Sequence, residues 1–454
     1  MARLVIVSNR VPVSAKQQAG GLAVVLEEAL KGEVLWFGWS GKRVAAPSEK
    51  PTFATRGTTT FATVDLSEED YQAYYAGFSN RSLWPLFHYR TGLVTYSRQD
   101  YRGYRAVNGK FASALVPLLR PGDTLWIHDY HLIPLGRSLR DLGVDLKTGF
   151  FLHIPFPPQS VFDILPPARQ LAADLAAYDV VGFQTGEDRE NFQGCARKLL
   201  SDKERAHALA AAVALPVGID AAAFARMAKT ASMTAESRRL EESLVGRRLI
   251  IGADRLDYSK GLPQRFEAYS DLLETHAEYR EKVSFLQVAP RSREDVSEYR
   301  ELKRTLDRLT GKINGKYAEF DWVPLRYMTK GLTRRVLAGF FRGSAIGLVT
   351  PLRDGMNLVA MEYVAAQDEE DPGVLVLSRF AGAAASLESA LIVNPHDPGD
   401  TAEAMHQGLT MSRQERQERW RALMRRIEED SAAAWCRRFL ARLAAPSKTL
   451  RAAS

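Results

Sequence analysis

A chain of 454 residues, 46% hydrophobic and 25% charged, has the composition of a globular protein and the length for two or three domains. Its net charge of +7, from 61 basic and 54 acidic residues, is scattered, which excludes the basic stripe interleaved with aromatics that nucleic-acid binding needs. The two cysteines, Cys195 and Cys436, match no metal-ligand spacing and suit a reducing compartment.

The N-terminal "MARLVIVSNR" is strand-like, with an apolar core too short for a signal peptide. No later apolar run reaches membrane-spanning length, so the expectation is a cytoplasmic protein with no membrane partner. Short β-branched or aromatic runs follow in order: "VLWFGWS", "DTLWIHDY", "KTGFFLHIP", "DVVGFQT" and "VALPVG". Each precedes a helix-sized segment. A second series begins near Arg248 with "RLIIGADR", "VSFLQVAP", "IGLVTPLRD", "GVLVLSRFAG" and "ALIVNPHD". Runs that are apolar throughout indicate strands buried on both faces of mostly parallel sheets. Two series predict two α/β lobes, side by side or facing each other, over residues 1–225 and 226–430. The seam is placed in the alanine-rich segment from Ala221 to Gly246, and the pattern from Asp400 onward is helical.

Ligands of open parallel sheets sit beyond the carboxyl ends of the strands, and polar residues gather there. After "RLIIGA" come Arg255 and Lys260 in "DRLDYSKGLPQRF", before a helix opened by Pro263. Two cations at a helix N-terminus suit a diphosphate; they equally suit a surface ion-pair network with Asp254 and Asp257. In "PLRDGMNLVAMEYVAAQ" a strand hands over to a helix through Asp354, Gly355, Met356 and Asn357. The amides there can meet phosphate or sugar oxygens, and Glu362, one turn past Leu358, can accept a ribose diol. The alternative is a solvated glutamate with Asn357 as N-cap. In "GFFLHIPFPP" a strand ends in His153, and in "WIHDYHL" another ends in Asp129 between two histidines. No third ligand stands at motif spacing, and no Asp-x-Asp pair follows a strand, so no metal or other cofactor is expected. Arg10, the Gly20–Gly21 pair, Tyr75, Trp84 and Arg293 complete the candidates, a set that suits a phosphorylated sugar or, residue by residue, plain packing and surface charge.

Taken in order, "SNR…GGL", "FGWSG", "YYxxFSN…LWPxFHY", "WIHDYHL", "GFFLHIPFP", "RLDYSKGLPxRF", "INGKY" and "TPLRDGMNLVAxEYVAAQ" resemble the trehalose-6-phosphate synthase family, from Arg3 to about Asp397. The resemblance implies a GT-B fold of two facing Rossmann-like lobes, with a C-terminal helix over 431–454 that crosses back to the first lobe. It implies retaining transfer of glucose from a nucleotide-glucose such as UDP-glucose to glucose-6-phosphate, without a metal.

By the same resemblance, Arg255 and Lys260 hold the donor diphosphate and stabilise the leaving group, and Gly20 and Gly21 approach the donor. Leu358, Val359 and Glu362 bind the nucleotide, with Leu332 near the base. Asp354, the amides of Gly355, Met356 and Asn357, and His153 hold the glucose hydroxyls. Arg10, Trp39, Tyr75, Trp84, Asp129 and Arg293 form the glucose-6-phosphate site. Leu332 and Met361 stand where relatives carry phenylalanine and lysine, and both bear on nucleobase preference. Sister enzymes with another acceptor or donor, such as a glucosylglycerol-phosphate synthase or a pseudo-sugar transferase, share these motifs. A non-catalytic regulatory homologue would be expected to lack Arg255, Lys260 or Glu362, and all three are present. A homo-oligomer is left open.

Overall fold

In this computed structural model, which describes residues 3–13, 26, 32–293 and 296–445, the chain divides into two units. One comprises Met1–Val217 with Ala432–Ser454 and the other Gly218–Ser431. The first holds an eight-stranded sheet in the order β3-β4-β2-β1-β5-β6-β7-β8. Its strands are β1 (Leu4–Arg10), β2 (Val34–Arg43), β3 (Thr52–Arg56), β4 (Thr59–Leu66), β5 (Thr124–His128), β6 (Thr148–Phe151), β7 (Val180–Phe183) and β8 (Ala212–Ala214). Every pair is parallel except the β3–β4 hairpin at one edge. The strand order reverses between β1 and β5, so their carboxyl ends, at Arg10 and His128, frame the crevice where such sheets bind ligands.

The second unit is a six-stranded, wholly parallel sheet in the order β11-β10-β9-β12-β13-β14. Its strands are β9 (Arg248–Ala253), β10 (Val283–Val288), β11 (Leu325–Met328), β12 (Ile346–Val349), β13 (Val374–Ser378) and β14 (Leu391–Val393). Here the reversal falls between β9 and β12. The loops that follow these two strands carry Arg255, Lys260 and Asp354. All six residues of β10 are buried, and its polar members are satisfied: Gln287 accepts from Arg265 and Ser284 from Trp322. That is why these strands read as unbroken runs.

The boundary differs from the sequence-based placement. Division falls after Val217, not after residue 225, because the alanine-rich segment is no linker. It folds as helices Ala221–Ala231 and Ala235–Leu244, and Phe224 and Ala228 bury into the second unit's core with Ala338, Phe341 and Tyr363. The hairpin β3–β4 and strand β11 also escape the search for apolar runs. β3 is exposed at all five residues, and only the first residue of β11 is buried.

The last described helix, Ala432–Ala444, belongs to the first unit. Trp435, Phe439 and Leu443 recur every four residues and bury along one face. Phe439 stacks on Trp126 at 4.5 Å, and Trp435 meets Phe151 edge-on at 5.0 Å. A Cβ on Gly149 of β6 would lie 2.7 Å from Phe439, so that glycine lets the helix sit close against the sheet. Among the described residues, no helix is long and apolar enough to cross a membrane.

Candidate functional site

In the second unit the site begins where β9 ends. Arg255 is exposed immediately beyond the strand, and a 3-10 turn at Tyr258–Lys260 leads to Gly261 and the helix Leu262–Thr275. Gly261 is left-handed (φ 65°), and a Cβ there would lie 2.4 Å from the Thr350 carbonyl oxygen. The turn is therefore pressed against the end of β12 in a way that only glycine permits. Buried Asp257 pins the loop by accepting from the Ser259 amide (3.0 Å), Arg293 Nη1 (3.2 Å) and the Tyr299 hydroxyl (3.1 Å).

Arg265, buried beneath the same loop, donates to Asp254 (2.8 Å), Gln287 (2.9 Å), Thr350 (3.0 Å) and the Lys260 carbonyl (3.3 Å). One guanidinium so ties together the ends of β9, β10 and β12. Asp254 and Asp257 are both buried and pair with Arg265 and Arg293, so they form a buried support and not a surface network.

Lys260 forms an ion pair with Asp354. Asp354 also accepts from the Gly355 amide and the Asn357 side-chain amide, each at 3.0 Å. Asn357 is left-handed (φ 72°) and its side chain caps no amide of the helix Leu358–Ala366, so the N-cap alternative fails. Of the first-turn amides, that of Ala360 bonds the Asn357 carbonyl at 3.3 Å, and those of Leu358 and Val359 head the helix. One turn in, Glu362 accepts from Arg334 Nε at 2.8 Å, and Arg334 lies 4.9 Å over Phe224. Glu362 is thus a held carboxylate, not a solvated one. Leu332 packs beside the same core, as do Leu358 and Val359, while Met356 is buried in it. Met361 is 1% exposed inside that core, which removes it from any ligand-facing role.

In the first unit an aromatic series connects the residues expected for the acceptor. Arg10 lies 5.9 Å from the Trp39 ring, Trp39 is 5.7 Å from Tyr75, and Tyr75 stacks on His131 at 5.6 Å and 7°. His131 then meets Tyr130 at 3.9 Å, and Tyr130 meets Trp84 at 5.6 Å. Tyr75 sits on a π-helix over Tyr71–Leu83, a rare backbone frequent at functional sites.

Asp129, just past β5, has φ 77°, outside the comfortable range of an L-residue, and accepts from the His153 amide at 3.2 Å. His153 in turn shares a hydrogen bond with buried His128, Nδ1 to Nε2, at 3.1 Å. Desolvation pushes the His153 pKa down to about 3 and holds His128 well below the usual histidine value, with His153's charge adding to the effect on His128, so both rings are neutral.

The structure thus gathers Arg10, Trp39, Tyr75, Trp84, Asp129 and His153 in the first unit. Arg255, Lys260, Leu332, Glu362 and the run Asp354–Val359 lie in the second. Arg293 also lies in the second unit, bonded to Asp257 and Tyr299. Gly20 and Gly21 fall outside the described residues. Sequence reasoning weighed His128 only as a metal ligand and passed over Arg265 and Arg334. Arg265 stands inside the quoted "GLPQRF", but a helical arginine carries no sequence mark of being buried.

A group of His276, Glu278 and His406 brings ligand-type atoms within 4.8 Å of one another. The two imidazoles stack at 3.9 Å and 10°, so their lone pairs lie in two near-parallel planes, a poor arrangement for sharing one ion. His406 Nδ1 is also engaged by the Tyr279 hydroxyl at 2.8 Å.

The sequence matches the profile of Glycosyltransferase family 20 over residues 3–445. It is 48% identical over 460 aligned positions to a trehalose-6-phosphate synthase of Sinorhizobium fredii, covering 98% of this chain and 99% of that protein. Among solved structures, an alpha,alpha-trehalose-phosphate synthase (UDP-forming) from Burkholderia xenovorans in complex with glucose-6-phosphate superposes with a TM-score of 0.93 at 43% identity, over 98% of this chain and 100% of that one. The E. coli protein bound with UDP-2-fluoro glucose gives 0.89 at 42% identity, over 97% and 99%.

Proposed function

The chain belongs to glycosyltransferase family 20, and on that premise we propose that it transfers glucose from UDP-glucose to glucose 6-phosphate, giving α,α-trehalose 6-phosphate and UDP. The observation that carries this reading is the pairing of Lys260 with Asp354 at the β9–β12 reversal, with Arg255 on the same loop as Lys260 and Glu362 held one turn inside the adjoining helix. Two cations beside two helix N-termini match a diphosphate, and a fixed carboxylate matches a ribose diol.

In the step itself the bond from the glucose anomeric carbon to the diphosphate oxygen breaks. A bond to the acceptor's anomeric oxygen forms on the same face, and the acceptor's proton passes to the departing phosphate. Arg255 and Lys260 take up the charge that develops on that phosphate, which is the electrostatic share of catalysis. Asp354 and His153 orient the transferred sugar, while Arg10, Trp39, Tyr75, Trp84 and Asp129 hold the acceptor. No metal is assigned a step. Retention by a carboxylate nucleophile is disfavoured for Asp354, which is already committed to Lys260, Gly355 and Asn357.

The test mixes purified protein, with and without EDTA, with UDP-, GDP- or ADP-glucose and with glucose 6-phosphate or glycerol 3-phosphate. The expected product is an α,α-1,1-linked disaccharide phosphate, formed fastest from UDP-glucose and unaffected by EDTA. Transfer to glycerol 3-phosphate alone would overturn the acceptor assignment, and no transfer with any pair would support the regulatory alternative.

A further inference from the structure

His128 belongs to none of the substrate contacts proposed above, yet it is wholly buried and bonded to His153. It shares a face of β5 with Trp126, 4.7 Å away, and Trp435 of the C-terminal helix closes the cluster at 6.3 Å from His128 and 6.0 Å from His153. In the bond between His128 Nδ1 and His153 Nε2 only one nitrogen can carry the proton.

The remaining polar atoms decide which. Among the described residues, His128 Nε2 is buried without a partner, and so are the indole N–H groups of Trp126 and Trp435. If His153 donated, His128 would carry its proton on Nε2, adding a third orphaned donor beside two others. Orphaned buried N–H groups are the rarest kind of unsatisfied polar group, so a third in one cluster is the costlier arrangement. With the proton on Nδ1, Nε2 is instead a bare lone pair, and the cluster holds two orphaned donors, not three.

We infer that His128 is a positioning residue: its Nδ1–H donates to His153 Nε2 and locks His153 in the Nδ1–H tautomer, so that His153 meets the transferred sugar as a hydrogen-bond donor and not as a base. Among the described residues, His153 Nδ1 has no partner of its own, which leaves its proton for a sugar oxygen. Free histidine favours the opposite tautomer, so the assignment departs from the default. It rests on the proposed contact of His153 with the sugar for its meaning, but not for its measurement.

The experiment records two-bond ¹H–¹⁵N spectra of the full chain labelled at histidine, with His153 and His128 identified by the loss of their signals in His153→Asn and His128→Leu. The expected spectrum shows protonated Nδ1 and bare Nε2 for both rings. A His153 ring protonated at Nε2 would overturn the inference, whether or not the protein proves to transfer glucose. Kinetics supply the second reading. His128→Leu should lower kcat roughly 10-fold, the effect of one lost hydrogen bond, with the acceptor KM within about twofold. His128→Asn, whose amide nitrogen stands where Nδ1 did, should recover most of that loss and restore the Nδ1–H signal of His153. Equal losses in the leucine and asparagine variants, with both folded, would mean that ring packing and not the hydrogen bond matters, and would also overturn it.

Discussion

Arg255 and Lys260 sit five residues apart in sequence but differ in their surroundings. Arg255 is exposed, whereas Lys260 and Asp354 form an ion pair with side chains only 12% and 14% exposed. The two should therefore respond differently to truncation. Arg255→Ala is expected to lower kcat about 100- to 1000-fold, the usual loss for one preorganised charge on a transition state. Its stability cost should be about 1 kcal/mol or less, since contacts of an exposed charge contribute little. Lys260→Ala should lose comparable turnover and also about 1–3 kcal/mol of stability, because Asp354 loses its charged donor. Steady-state kinetics and urea denaturation separate the two effects, and near-normal turnover in Arg255→Ala would remove it from leaving-group stabilisation. At this scale the sequence displayed the residue types and their loops. It did not display the pairing, since Lys260 and Asp354 are 94 residues apart and only the β9–β12 contact makes them neighbours.

The loop between β9 and its helix shows how an element carries these residues. Its shape depends on Gly261 at φ 65°, with the Thr350 carbonyl where a Cβ would be, and on Arg265 beneath. Gly261→Ala is expected to cost about 1–3 kcal/mol of stability through the left-handed backbone. Because the strained turn must move away from Thr350, taking Lys260 with it, donor KM should rise or kcat fall in the same variant. Unchanged denaturation and kinetics would show that the loop tolerates the shift. The apolar runs made most strands legible, because a strand covered on both faces has no polar alternation to obscure it. The exposed edge strand β3 was not legible for the complementary reason: an edge strand in water needs no apolar run.

At the scale of the whole molecule, the C-terminal helix Ala432–Ala444 belongs with strands more than 250 residues earlier in the chain. Trp435 is fully buried against Phe151, His153 and Trp126, so Trp435→Ala should cost about 3–5 kcal/mol. Hydrogen exchange locates that loss: amides of β5 and β6 should exchange faster, while those of β9 and β12 keep their protection. Exchange rising first in the second unit would contradict the division. What the sequence determined by itself was the class of fold, the two strand series and the loops that bear the chemistry, because burial period and turn composition are local properties. The tertiary structure alone decided the boundary after Val217, the burial of Met361 and Arg265, and the pairings of Lys260 with Asp354, Glu362 with Arg334 and His128 with His153. Each of those depends on which distant segment arrives beside a residue, and strand order sets that.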